Sequence, residues 1–112
     1  MEIINVNETK IIETPHKVDV RKIYDYNNAQ AMHITLQSGE TLKPHITPVD
    51  VFFYILEGAV DVRVGDETIT VEKDNLVESP KNIVHCLSNS STSKARILVV
   101  KLPKPAAQTK LL

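Results

Sequence analysis

Apolar and polar residues alternate one by one along most of this chain. Val60, Val62 and Val64 alternate with Asp61, Arg63 and Gly65, and Ile69 and Val71 alternate with Thr68 and Thr70. A period of two puts successive side chains on opposite faces of a strand, so these runs read as half-buried β. The pattern predicts strands near 3–6, 18–23, 30–37, 41–46, 51–57, 59–64, 67–72, 76–79, 83–88 and 95–102. Turn residues separate them. Gly65-Asp66 reads as a two-residue hairpin, because glycine supplies the positive φ such turns need. Ser38-Gly39 and Glu57-Gly58 mark further turns, and Ser79 to Asn82 and Ser88 to Lys94 are loops. No segment keeps a helical period over a useful length. Many short strands spaced by turn signals predict an all-β sandwich or barrel.

Composition narrows the partners more than the fold. With 112 residues, the chain fits one domain, read here as residues 1–102 followed by a C-terminal tail, 103–112, that carries two prolines. The net charge is −1, so no bulk field favours nucleic acid or an anionic membrane. Three of the five aromatic residues are consecutive at Phe52, Phe53 and Tyr54, which makes no stacking platform for bases. No apolar run approaches the ~20 residues of a membrane helix. The solitary Cys86 has no partner for an internal disulfide and fits a reducing compartment. The start, MEIINVNETK, lacks the basic and apolar regions of a signal peptide. The expected location is therefore cytoplasmic.

The candidate chemistry lies in two stretches, GETLKPHITPVDVFFYILEG from Gly39 to Gly58 and DNLVESPKNIVHCLSN from Asp74 to Asn89. Each places one histidine, His45 or His85, on a strand. Two imidazoles brought together in a barrel make a metal or acid–base site. His33, in the strand MHITL, is a third pocket imidazole if its face points inward. His16 follows Pro15 in a polar stretch and reads as surface. Cys86 alternates with His85 and so takes the opposite face as an inert thiol. There is no phosphate loop, cysteine pair for zinc, or Gly-x-Ser-x-Gly elbow.

Read together, these stretches resemble the two motifs of the cupin superfamily. The first matches at Gly39, at His45 after five intervening residues, and at Gly58. The second matches at Pro80, His85 and Asn89, with Asp74 and Asn82 standing where the motif has glycine. Asp and Asn are the usual substitutes for glycine at left-handed positions. The resemblance implies a small jelly-roll β-barrel, a double-stranded β-helix, with a metal in its mouth. It carries His45 and His85 over as metal ligands. Thr47 stands where the motif has its second histidine, and Val51 where it has glutamate. Asp50 lies one residue off that position, where only a bulge turns it inward. The implied cofactor is one divalent transition metal (Fe, Mn, Ni or Zn) with an incomplete ligand set. Val51 and Phe53 line the barrel interior by the same resemblance, and His33, Thr47, Val51 and Phe53 are the expected ligand-pocket residues.

Three functions compete on these grounds. The first is a cupin that binds a small molecule in the barrel mouth. The second is a metal-dependent dioxygenase, isomerase or lyase that uses His45 and His85. The third is a metal-free acid–base enzyme of the sugar epimerase or isomerase kind. The catalytic residues, the substrate and enzymatic activity itself stay open. A homodimer is expected, with the apolar Ile3, Ile4, Val6, Ile11 and Ile12 buried against a second subunit.

Overall fold

Alternation along the strands builds two sheets that share one core. The computed structural model describes residues 1–106 and 110–112. In chain order the strands are β1 (Asp19–Tyr26), β2 (Ala29–Leu36), β3 (Thr41–Ile46), β4 (Asp50–Glu57) and β5 (Ala59–Val64). They continue as β6 (Glu67–Glu72), β7 (Leu76–Ser79), β8 (Val84–Ser88), β9 (Ala95–Leu102) and β10 (Lys110–Leu111). One sheet has the order β1-β2-β9-β4-β7 and the other β10-β3-β8-β5-β6. All pairings are antiparallel. The result is the expected all-β jelly roll, two sheets packed face to face rather than a strictly closed ring of strands.

The inward face follows the period of two. Val51, Phe53 and Ile55 of β4, Val60 and Val62 of β5, and Ala95, Ile97 and Val99 of β9 are all buried. Full burial of a Val, Ile or Phe side chain stabilises a fold by roughly 1.5–3 kcal/mol. The corners follow the motif glycines. Gly58 has φ +77°, and Asp74 and Asn82 have φ 69° and 62°, so the two substitutes occupy the left-handed conformation expected of them. Their backbone N–H groups are used: Asp74 donates to the carbonyl of Ile55 (2.8 Å) and Asn82 to that of Thr47 (2.9 Å).

Two segments depart from the sequence reading. Residues 3–6 form no strand. Asn5 instead accepts from the N–H of Asn7 and caps a single 3₁₀ turn, Val6–Glu8, and the carbonyl of Val6 receives the guanidinium of Arg21 (2.9 Å). This local side-chain bond competes with strand pairing. The tail adds a strand that the pattern did not predict: β10 pairs with β3, Leu111 facing His45 and Lys110 facing Ile46. Residues 107–109 of the tail lie outside the described residues. Among the described residues no helix is long and apolar enough to cross a membrane.

Candidate functional site

His45 and His85 are direct partners in the β3–β8 ladder. Both rings point into the barrel, their centroids 4.3 Å apart and edge to face. The structure thus brings together the two residues that the motif offsets single out, but their surroundings differ. His85 is 1% exposed and packs against Phe53, centroids 5.2 Å apart. Its Nδ1 lies 2.7 Å from the Ser79 hydroxyl and its Nε2 lies 3.2 Å from that of Thr47. A neutral imidazole has one donor and one acceptor, so one hydroxyl donates to the ring and the other accepts from it. Burial, then the neighbouring His45 and Lys101, push its pKa down to about 3. His85 is a neutral, fully hydrogen-bonded core residue.

His45 lies nearer the surface of the site. Its Nδ1–H donates to the carbonyl of Lys43 (2.6 Å), which leaves the lone pair on Nε2. Burial lowers its pKa, opposed by the Lys43 bond and assisted by Lys101. The other edge of the ring meets His16, with centroids 5.0 Å apart. His16 is half-buried, contrary to the surface position expected for it. Its Nδ1 accepts from the backbone N–H of Lys43 (2.8 Å), so its proton is on Nε2. Burial, with His45, Lys43 and Lys101 adding to it, lowers its pKa to about 4.

Beside these two rings lies a cavity of about 190 Å³ between the sheets. Its walls are mainly apolar, among them Ile12, Met32, Ile34, Leu42 and Val99, and Leu111 of β10 contributes to them. The polar lining is Thr14, His16, His45 and Lys101. His16 and Lys101 were not singled out by the motifs. A signal for Lys101 exists in the run Ala95 to Lys101, where alternation puts Lys101 on the face of Ala95, Ile97 and Val99. None existed for His16, which the segment before β1 delivers.

The other candidates lie elsewhere. Met32 and Ile34 face the cavity, so His33 between them faces outward from its sheet. There it is buried, its Nε2 accepts from Arg96 Nε (3.1 Å), and its Nδ1 has no partner among the described residues. Thr47 is buried against His85, Phe53 is core, and Val51 is buried where β4 pairs with β7, opposite Ser79. Asp50 is exposed, and its carboxylate accepts from the N–H of Lys81 (2.9 Å), fixing the Pro80–Asn82 loop. Cys86 is half-buried on the outward face of β8.

The metal implied by the motif resemblance does not fit this donor set. Two imidazoles fall short of the three protein ligands of catalytic zinc or a facial triad. One of them, His85, has both nitrogens already hydrogen-bonded. Among the described residues no three His, Cys, Asp or Glu side chains are grouped to hold an ion.

Comparison with known proteins agrees with the architecture. Residues 32–101 match the family described as Cupin domain. The chain is 31% identical over 67 residues to the tetracenomycin polyketide synthase protein TcmJ of Streptomyces glaucescens. That match covers 59% of this chain and 45% of TcmJ, so it spans about half the length of that relative. Among solved structures, TT1209 from Thermus thermophilus superposes with a TM-score of 0.81 at 29% identity, covering 94% of this chain and 100% of that one. The polyketide cyclase RemF from Streptomyces resistomycificus superposes with a TM-score of 0.84 at 18% identity, covering 100% of this chain and 85% of that one, a likeness of fold. The family match over 32–101 covers both motifs, and the jelly roll places their residues where the motifs require: the chain belongs to the cupin family.

Proposed function

We propose that this cupin binds a small molecule in the cavity beside His45, and that His45 is its hydrogen-bonding or proton-accepting contact. One observation carries the reading. The bond from Nδ1 to the Lys43 carbonyl fixes the tautomer and leaves a lone pair on Nε2, on a wall that is otherwise mainly apolar. A concave apolar site with few convergent polar groups is the usual form of a small-molecule pocket. The size suits one substituted ring, since a comparable engineered cavity of ~150 Å³ admits benzene. The similarity to a polyketide synthase protein and to a polyketide cyclase is consistent with a ring-bearing ligand.

The same tautomer favours a second reading, acid–base catalysis without a metal. A neutral imidazole with a free Nε2 is a competent general base near pH 7. Tyr54, the tyrosine nearest in sequence, faces out of the barrel and supplies no acid partner. Metal-dependent catalysis by His45 and His85 is the rival to both readings.

Two measurements separate them. In an NMR screen of small aromatic compounds against labelled protein, shifts are expected at Ile12, Ile34, Leu42 and Val99, and they should weaken in His45→Ala. Shifts only at other surfaces would sink the pocket reading. Metal analysis of protein purified without chelator is expected to show far less than one equivalent, whereas about one equivalent bound through His45 restores the metal-dependent reading.

A further inference from the structure

Lys101 is out of place by the logic of its own strand. Alternation along β9 carries Ala95, Ile97 and Val99 into the core, and Lys101 follows on the same face to line the cavity. A lysine half-buried on an apolar wall ordinarily pairs with a carboxylate. Lys101 makes no ion pair among the described residues; the bridges there are Arg21–Asp19, Lys22–Asp25, Arg96–Glu57 and Lys104–Asp25. Among the described residues no Asp or Glu lines the cavity. Apart from the neutral His45, the charged neighbours that act on Lys101, His16, His45 and His85 are lysines: Lys43 and Lys101 on His16, Lys101 on His45 and His85, and Lys22 on Lys101. His16 adds a donor, because the Lys43 N–H occupies its Nδ1 and leaves the proton on Nε2. The cavity therefore presents an ammonium group and an imidazole N–H with no anion among the described residues to meet them.

We propose that the cavity takes a ring-sized apolar anion, a carboxylate or comparably acidic molecule, whose charge is met by Lys101 and the Nε2–H of His16. The proposal rests on the pocket reading above and adds the sign of the ligand's charge. A neutral apolar ligand would leave the ammonium unpaired in a drier site than the empty cavity, which is unfavourable. An anion of the right size removes that cost and gains a charge-assisted hydrogen bond. His45, whose Nε2 carries a lone pair, is then an acceptor for a hydroxyl or N–H of the ligand apart from its anionic group.

The test compares a matched pair of probes on the full chain at neutral pH, 4-ethylbenzoate and 4-ethylbenzamide, followed by NMR titration. The benzoate is expected to bind at least about tenfold more tightly, with shifts at Val99 and at the Lys101 side chain. In Lys101→Met that preference should vanish, with the benzoate binding more weakly and the amide at least as tightly as before, since no ammonium is then left unpaired. Lys101→Gln is the second variant if the first aggregates, with the same expectation. Equal affinities for the two probes in the unaltered protein would overturn the anion inference and leave the pocket reading standing. So would a benzoate preference that survives loss of Lys101. Failure of both probes to shift any cavity residue would overturn the pocket reading and this inference with it.

Discussion

Two histidines at matching motif positions have different tasks because their neighbours differ. His85 is held by the hydroxyls of Ser79 and Thr47 and packed on Phe53. His85→Ala removes a buried ring and leaves a buried Ser79 hydroxyl without this partner, so it should destabilise by ~1–3 kcal/mol. His45 has one backbone bond and opens on a cavity, so His45→Ala should cost clearly less while weakening ligand binding. Thermal melts of both variants check the ordering, and equal losses would show that His45 is also a structural residue. A pH effect belongs to the same scale. All four histidines have folded pKa values below the ordinary 6.5, burial being the first cause in each, with His16 at about 4 and His85 at about 3. Below about pH 6.5 the unfolded chain takes up protons that the folded chain refuses, so stability falls as pH falls through that window. The melting temperature should decline steadily from pH 6.5 towards 4; a flat profile there would contradict the burial of these rings. At this scale the motif offsets made His45 and His85 legible. His16 was not, because its place depends on how an irregular segment packs across the barrel mouth. Lys101 was legible in principle, by parity with Val99.

Strands were easier to read than their ends. One face of each inner strand is buried, and a slip of one residue would turn its whole apolar row to water, so the period of two fixes β2 to β5 and β8 to β9 closely. The turns between them were legible through Gly58, Asp74 and Asn82, whose φ values are all positive. The segment at 3–6 and strand β10 were not legible. Whether a short apolar stretch pairs depends on a free neighbouring edge, which local sequence does not record. Gly58 supports a sharp prediction. A Cβ there would lie 2.7 Å from the carbonyl oxygen of Lys94 and 3.1 Å from the Cα of Ala95, both backbone atoms that cannot step aside cheaply. Gly58→Val therefore combines a left-handed conformation with a clash and should cost more than ~1 kcal/mol. Denaturant melts would show it, and an unchanged midpoint would mean that the Lys94 loop moves freely.

Among the described residues four strands end the two sheets, β1, β7, β6 and β10, and on β1 Ile11 bridges to Arg21. Open edges favour pairing between chains unless something covers them. Exposed apolar side chains lie along all four, Tyr24 and Tyr26 on β1, Leu76 on β7, Ile69 on β6 and Leu111 on β10, and Ile3, Ile4 and Ile11 are exposed in the N-terminal segment. Ile12 is already used inside its own subunit, where it lines the cavity. The remaining surface supports the expectation of a homodimer. Sedimentation at micromolar concentration should give a species of twice 12.5 kDa, and a lone monomer under those conditions would remove the dimer from consideration.

The left-handed corners also bear on how much stability the fold leaves unclaimed. Besides the glycines, Lys17, Asp74 and Asn82 hold positive φ values of 61°, 69° and 62°. An ordinary side chain in that conformation costs roughly 1–2 kcal/mol, and Asp or Asn distinctly less. Replacement by glycine relieves this strain but lets the denatured chain roam more widely, a loss of roughly 0.4–1 kcal/mol. For Asp74 and Asn82 the two effects nearly cancel. For Lys17, exposed and without a role in the cavity, relief wins. Lys17→Gly should raise the unfolding free energy by a few tenths of a kcal/mol up to ~1 kcal/mol, an increment that chemical denaturation resolves. A lower midpoint would show that the Lys17 backbone relaxes out of the left-handed region in solution.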